Sequence, residues 1–264
     1  MRSLENIIQE IYENRKKINN EINEYYLNCQ KMINGYIEND TLTHFLKENY
    51  PYAASQKLNE SIKNSYEIEN IDLNEEELKN EREKMLDISK KLHREFNEDG
   101  QDIKVSRLLS ILSKVEKESV LRSGPVLINE GDYIPPESQS EIESELDKFQ
   151  YQIINDEKME PVEKALHYHY QFVRIHPFRD GNGRSARLLS NTYLFAKDFF
   201  PAVINRGERM NYARLLDKAC YSRKGNYDIL KNLTSEEETL FTYLASKINN
   251  EYYLFRAESR LNKC

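Results

Sequence analysis

Cysteine is scarce: only Cys29, Cys220 and Cys264 occur, far apart, odd in number and without CxxC spacing. That argues against a disulfide framework or a cysteine zinc site and leaves reduced thiols as the expectation. Positive charge is short as well. With a formal net charge of −7, the chain lacks the basic face of a general nucleic-acid binder, so no nucleic-acid partner is expected. No stretch approaches the ~20 apolar residues of a membrane span, and the opening MRSLENIIQEIYENRKK lacks the apolar core of a signal peptide. A cytoplasmic chain with no membrane partner is expected. Also missing are internal repeats, low-complexity linkers and the phosphate-loop pattern GxxxxGK followed by Ser or Thr.

What is present suits one or two globular domains: 264 residues, 39% hydrophobic and 31% charged, enough for a substantial core. Leu4, Ile8, Ile11, Ile18, Ile22 and Tyr25 keep the three- and four-residue spacing of an amphipathic helix. Arg15 falls where the stripe needs its next apolar residue, which favours packing on the rest of the chain and leaves a coiled-coil homodimer open. Pro51 and the polar run from Lys57 to Asn64 are expected to break the pattern. A second long helix should start near Asp72 or Asn74 and end with Lys90, Lys91 and Arg94, followed by one from about Ile103 to Lys117. In PVLINEGDYIPP, Val126 to Ile128 and Asp132 to Ile134 flank a turn, which predicts a short β-hairpin. Helical spacing returns over Ser140 to Ile154, Pro161 to Ile175 and Gly183 to Ala196.

Between the last two helices stands HPFRDGNGRSAR, residues His176 to Arg187. The helix before it lines up Ala165, His169, Phe172 and His176, delivering an imidazole to the point where Pro177 stops regular helix. Such a group gains and loses protons near neutrality. Gly181 and Gly183 bare the backbone around Asn182 at the next helix N-terminus, a seat for an anion. Arg184 and Arg187 share one face there, so both can reach that seat. Asp180 looks misplaced, since a carboxylate ~4 Å from a phosphate is repelled by about 4 kcal/mol at an effective dielectric of 20. A divalent cation reverses the sign, so one carboxylate beside a phosphate cradle implies Mg²⁺ bound with nucleotide. The loop therefore points to phosphoryl or nucleotidyl transfer. His167 and His169 lie two apart on a helix and point to different sides, which opposes a shared metal.

The loop resembles the Fic family motif HPFx(D/E)GNGRxxR, met by His176, Pro177, Phe178, Asp180, Gly181, Asn182, Gly183, Arg184 and Arg187. The likeness runs from about Arg122 to Leu230. It implies a mainly α, Fic-like helical bundle with a short β-hairpin flap. It also implies transfer of AMP from ATP to a protein Ser, Thr or Tyr hydroxyl, with Mg²⁺ and release of pyrophosphate. In those terms His176 is the base, Asp180 the metal ligand, and Gly181, Asn182, Gly183, Arg184 and Arg187 the phosphate site. Tyr212, in NRGERMNYARLLDKA, would contact the adenine, although Cys220 stands where relatives often have Asn. Val126, Leu127, Ile128 and Asn129 would meet the target or nucleotide from the flap, through main-chain pairing.

Upstream, Ser65, Glu69 and Asn70 fit the family's inhibitory pattern (S/T)xxxE(G/N), with Tyr66 in place of a second serine. The resemblance implies a carboxylate that competes with ATP for Arg187. The expected layout is an N-terminal helical region over 1–98 with the inhibitory segment at about 61–72, a Fic core over 99–235 with flap (122–136) and loop (176–187), and a C-terminal helical extension over 236–264. The partner would be a protein, the chain itself among the candidates. Transfer of another phosphate-containing group, hydrolytic removal of AMP, and a non-enzymatic nucleotide sensor remain as alternatives.

Overall fold

The computed structural model describes residues 2–33, 40–69, 71–97, 103–116, 120–126, 128, 133–223 and 232–261; side chains of 21–33, 40–51 and 258–261 are excepted. Its helices in chain order are α1 (Leu4–Ile33), α2 (Asp40–Ile68), α3 (Glu75–Asn97), α4 (Val105–Leu112), α5 (Gln139–Phe149), α6 (Pro161–Ile175), α7 (Asn182–Ala196), α8 (Arg209–Ser222) and α9 (Ser235–Leu261). α5 runs on into a π-helical turn, Gln150–Ile154, and a 3-10 turn, Arg206–Glu208, precedes α8.

α6 and α7 form the centre. Every residue from Lys164 to Ile175 is buried, and so is every residue from Arg184 to Leu194, the signature of helices enclosed on all sides. α2 and α3 cover α7, while α9 touches α6 and carries α1 and α8. One apolar cluster runs from Leu4 through Leu189 to Tyr252. Aromatic rings fill its middle: Tyr168 meets Phe149 and Tyr193 edge-on, with centroids 5.7 and 4.9 Å apart. Among the described residues, no helix is long and apolar enough to cross a membrane.

Several boundaries have clear local causes. Asn74 caps α3: its Oδ1 accepts the Glu77 amide at 3.0 Å and its own amide donates to Glu77 Oε2 at 3.0 Å. Ser138 and Glu141 build the same reciprocal cap on α5. Pro161 opens α6 at a position whose amide has no helical partner in any case.

Three expectations need correction. The chain does not break at Pro51 or over Lys57 to Asn64, because α2 continues to Ile68 and buries Ala54, Leu58, Ile62 and Tyr66 at four-residue spacing. That apolar stripe against α7 outweighs the single hydrogen bond proline removes. The helix expected over Ile103 to Lys117 is only Val105–Leu112, ending in turns that bring Val115 into the core.

The β-hairpin is the third. No strand occurs among the described residues, Val126, Ile128, Tyr133 and Ile134 included; Leu127 and Asn129 lie outside the described residues. The arm is tied down by isolated bonds to α6 and the loop after it instead. The Arg122 amide donates to Pro177 O at 3.0 Å, and Tyr133 Oη donates to Arg174 O at 2.9 Å. Pro125, Pro135 and Pro136 have no amide to give a ladder.

Candidate active site

α6 ends because Pro177 pushes the residue before it out of the right-handed helical region. His176 takes φ 52° and ψ 58° while its amide still donates to Phe172 O at 3.1 Å. A left-handed, non-glycine conformation costs ~1–3 kcal/mol and persists only when its surroundings enforce it. Arg122 does so. Only 1% exposed, its guanidinium donates through Nε to His176 O (2.6 Å), through Nη2 to Ile175 O (3.3 Å) and through Nη1 to Gly124 O (2.8 Å). A cation thus satisfies the carbonyls at the negative end of α6.

The imidazole Nδ1 lies 3.3 Å from Val173 O. A carbonyl only accepts, so Nδ1 carries the proton and Nε2 keeps a free lone pair. Burial lowers the histidine pKa to about 4, with the Arg122 charge adding to the drop and the Val173 carbonyl and Asp180 opposing it. At neutral pH the ring is uncharged and able to take a proton.

Asn182 shapes the loop. Its Oδ1 accepts the Phe178 amide at 2.9 Å and its Nδ2 donates to Phe178 O at 2.8 Å. The side chain expected on phosphate is therefore spent on the loop, leaving its backbone amide for an anion. Gly181 precedes α7 with φ 74°, and a Cβ there would also stand 2.8 Å from Glu116 Cγ. A Cβ on Gly183 would stand 2.6 Å from Glu69 Oε1. Both glycines hold open the first turn of α7. Asp180 is 76% exposed, with Oδ1 accepting the Gly181 amide at 2.6 Å.

Glu69, at the end of α2, bridges both arginines. Its Oε1 accepts from Arg187 Nη2 at 2.6 Å and its Oε2 from Arg184 Nε at 2.6 Å. Ser65 adds two acceptors to Arg187: Oγ to Nε at 2.7 Å and backbone O to Nη2 at 3.1 Å. Arg184 also pairs with Glu116 and lies 5.5 Å over the Tyr66 ring, whose hydroxyl donates to Glu81 at 2.8 Å. Asn70 lies outside the described residues.

His176, Asp180, Gly181, Asn182, Gly183, Arg184, Arg187, Glu69, Tyr212 and Ile128 line one cavity of about 460 Å³. Tyr212 is almost wholly buried, its hydroxyl 2.8 Å from His169 Nε2. Burial, with Arg187 nearby, lowers the His169 pKa to about 3. His167 turns elsewhere, edge-on to Phe241 at 4.9 Å. Arg122 and Glu116 were not foreseen. A lone arginine and a glutamate in the charged run KVEKES carry no local pattern.

Residues 72–194 match the model of the Fic/DOC family. A protein adenylyltransferase Fic from Nematostella vectensis is 35% identical over 127 residues, 47% of this chain and 29% of the relative. One from Drosophila mojavensis is 35% identical over 91 residues, 34% of this chain and 18% of the relative. The alignments thus span less than a third of these relatives' length. Among solved structures, a Fic domain containing signaling protein from Bacteroides thetaiotaomicron superposes with a TM-score of 0.67, 20% identity and 94% of each chain covered. At that identity the likeness speaks for the fold. With the motif, the helical frame and the family match in agreement, the chain carries a Fic/DOC family domain over residues 72–194.

Proposed function

We propose that the protein is an adenylyltransferase that moves AMP from ATP to a Ser, Thr or Tyr hydroxyl of a protein, held in check by Glu69. One observation carries the reading: a neutral, desolvated His176 and a two-arginine anion seat occupy the two ends of one short loop, facing a common cavity. The two functions need that division. His176 Nε2 takes the proton of the incoming hydroxyl as its oxygen bonds to the α-phosphorus. The bond from that phosphorus to the β-phosphate oxygen breaks, and pyrophosphate leaves with the electron pair. Arg184, Arg187 and the backbone amides of Asn182 and Gly183 hold the outer phosphates and balance the charge growing on them.

Asp180 fits a cation that arrives already bound to phosphate. It is a single exposed carboxylate at the anion seat, and among the described residues no cluster of three His, Cys, Asp or Glu could hold a metal alone. Mg²⁺, when bound, would supply charge neutralisation of the triphosphate. Tyr212 and Ile128 line the same cavity and are the proposed contacts for the nucleoside or the target. Dependence on ATP and a free, buried Cys220 thiol suit a cytoplasmic setting.

Glu69 occupies the arginine nitrogens that the triphosphate needs, and each charge-assisted contact is worth ~1.5–3 kcal/mol. Glu69→Gly is expected to raise AMP transfer by roughly ten- to a hundredfold. Intact mass spectrometry of wild type and variant after incubation with ATP and Mg²⁺ checks both parts of the reading. A gain of one adenylyl unit by the protein itself supports the donor chemistry, and equal rates for the two proteins remove the brake.

A further inference from the structure

Arg184 has a second anionic partner that Glu69 does not explain. Glu116 follows α4 at the start of the arm leading toward the cavity, and its carboxylate pairs with Arg184 Nη1. Its stem packs against Gly181 so closely that a Cβ there would stand 2.8 Å from Glu116 Cγ and 3.7 Å from its Cβ. The carboxylates therefore come from opposite sides of the chain: Glu69 from α2 on Nε at 2.6 Å, Glu116 from the α4 side on Nη1. Asp180 Oδ1 stands 3.5 Å from Nη2. Arg184 itself is only 5% exposed on its side chain, so its charge is directed almost wholly to these acceptors. Arg187, by contrast, has Glu69 as its ionised partner and Ser65 as a neutral one.

We infer that Glu116 is a second, independent latch on the anion seat: it must release Arg184 before a triphosphate is fully held, and removing Glu69 alone frees Arg187 while leaving Arg184 partly engaged. The inference rests on the nucleotide reading above. A guanidinium has five donors, so triphosphate and Glu116 are not mutually exclusive in principle. They compete here because Glu116 holds a donor of Arg184 while packed against Gly181 at the head of α7, and because a carboxylate repels a phosphate brought to the same cation. The Glu116 side chain is 30% exposed, little more than Glu69 at 25%, and solvent screens both; its effect is the smaller because it holds one arginine where Glu69 holds two.

The probe is the α,β-methylene analogue of ATP, which cannot donate AMP, titrated calorimetrically with Mg²⁺ into Glu69→Gly and into Glu69→Gly/Glu116→Gln. The double variant is expected to bind the analogue ~3- to 10-fold more tightly. AMP, which lacks the outer phosphates, should bind the two variants equally. Thermal melts within a few degrees of each other would confirm that the Glu116→Gln substitution leaves the fold intact. Unchanged or weaker analogue binding in the double variant overturns the latch, and so does an equal tightening of AMP, which would mean a general opening of the cavity. If Glu69→Gly fails to bind the analogue at all, the nucleotide reading falls and the latch falls with it.

Discussion

At the α6 end of the loop the functional group is neutral, desolvated and fixed by backbone carbonyls; at the α7 end two full charges are fixed by carboxylates brought from far along the chain. His176 owes its pose to Val173 O, Pro177 and Arg122. Arg184 and Arg187 owe theirs to Glu69, 115 and 118 residues away. In the proposed reaction the contrast follows from the task. A base must be ready before substrate arrives, so its environment is built in permanently. An anion seat must exchange one anionic partner for another, so its partners are carboxylate side chains from other segments, which can leave the arginines while the segments stay packed.

The sharpest way to break the comparison is to remove the ring. In the Glu69→Gly background, His176→Ala should lower AMP transfer ~10²- to 10⁴-fold, the usual worth of a positioned proton acceptor. Binding of the α,β-methylene analogue should hardly change, because the seat lies at the other end of the loop. Radiolabel transfer and calorimetry separate the two. Parallel loss of binding would show that the loop ends are not independent.

Asn182 joins them, and breaking it should affect stability next most strongly. Its two bonds to Phe178 lie in a buried turn, the residue being 2% exposed. Asn182→Ala leaves a buried amide and carbonyl without that partner and should cost ~2–3 kcal/mol in urea unfolding. A loss below about 0.5 kcal/mol would mean that water replaces the side chain.

This division also explains what could be read from the sequence. α6 was legible to the residue because both its ends are local: proline at N1, and His176 before a second proline at its close. The loop from His176 to Arg187 was legible for the same reason. The run through Pro51 was not, because the decisive term is the packing of Leu58, Ile62 and Tyr66 against α7, which no local signal reports. Alternation of Val126 and Ile128 suggested strands, yet the arm is held by Arg122 and Tyr133, whose partners are carbonyls of α6. The pairing of Glu69 with Arg187 was anticipated; its second oxygen on Arg184, and Glu116 behind it, required the assembled fold.

Ser65 offers a gentler perturbation of the displaceable side. Its hydroxyl is one of several acceptors on Arg187, and Ser65→Ala leaves the backbone carbonyl at 3.1 Å and Glu69 at 2.6 Å in place. Transfer in the otherwise wild-type protein should rise only ~2- to 10-fold, the worth of one hydrogen bond to a charged group that keeps other partners. An increase as large as that of Glu69→Gly would assign the hold to the serine and leave the carboxylate a minor part.

The smallest effect concerns pH, and it tests whether the α6 side is tuned by burial. An ordinary histidine with a pKa of about 6.5 would be roughly nine-tenths protonated at pH 5.5 and lose most of its capacity as a base. His176, lowered to about 4 chiefly by burial, would be only a few per cent protonated there. A folded-state pKa below the unfolded one means the unfolded chain binds more protons as pH falls from about 6.5 to 4, so folding stability declines across that window while the ring of the folded protein stays neutral. In proton NMR of the nucleotide-free protein, the carbon-bound imidazole resonance that disappears in His176→Ala should barely shift between pH 7 and 5.5. A midpoint near 6.5 would mean that water reaches the ring freely, and the contrast between a permanently prepared base and an exchangeable anion seat would lose its first half.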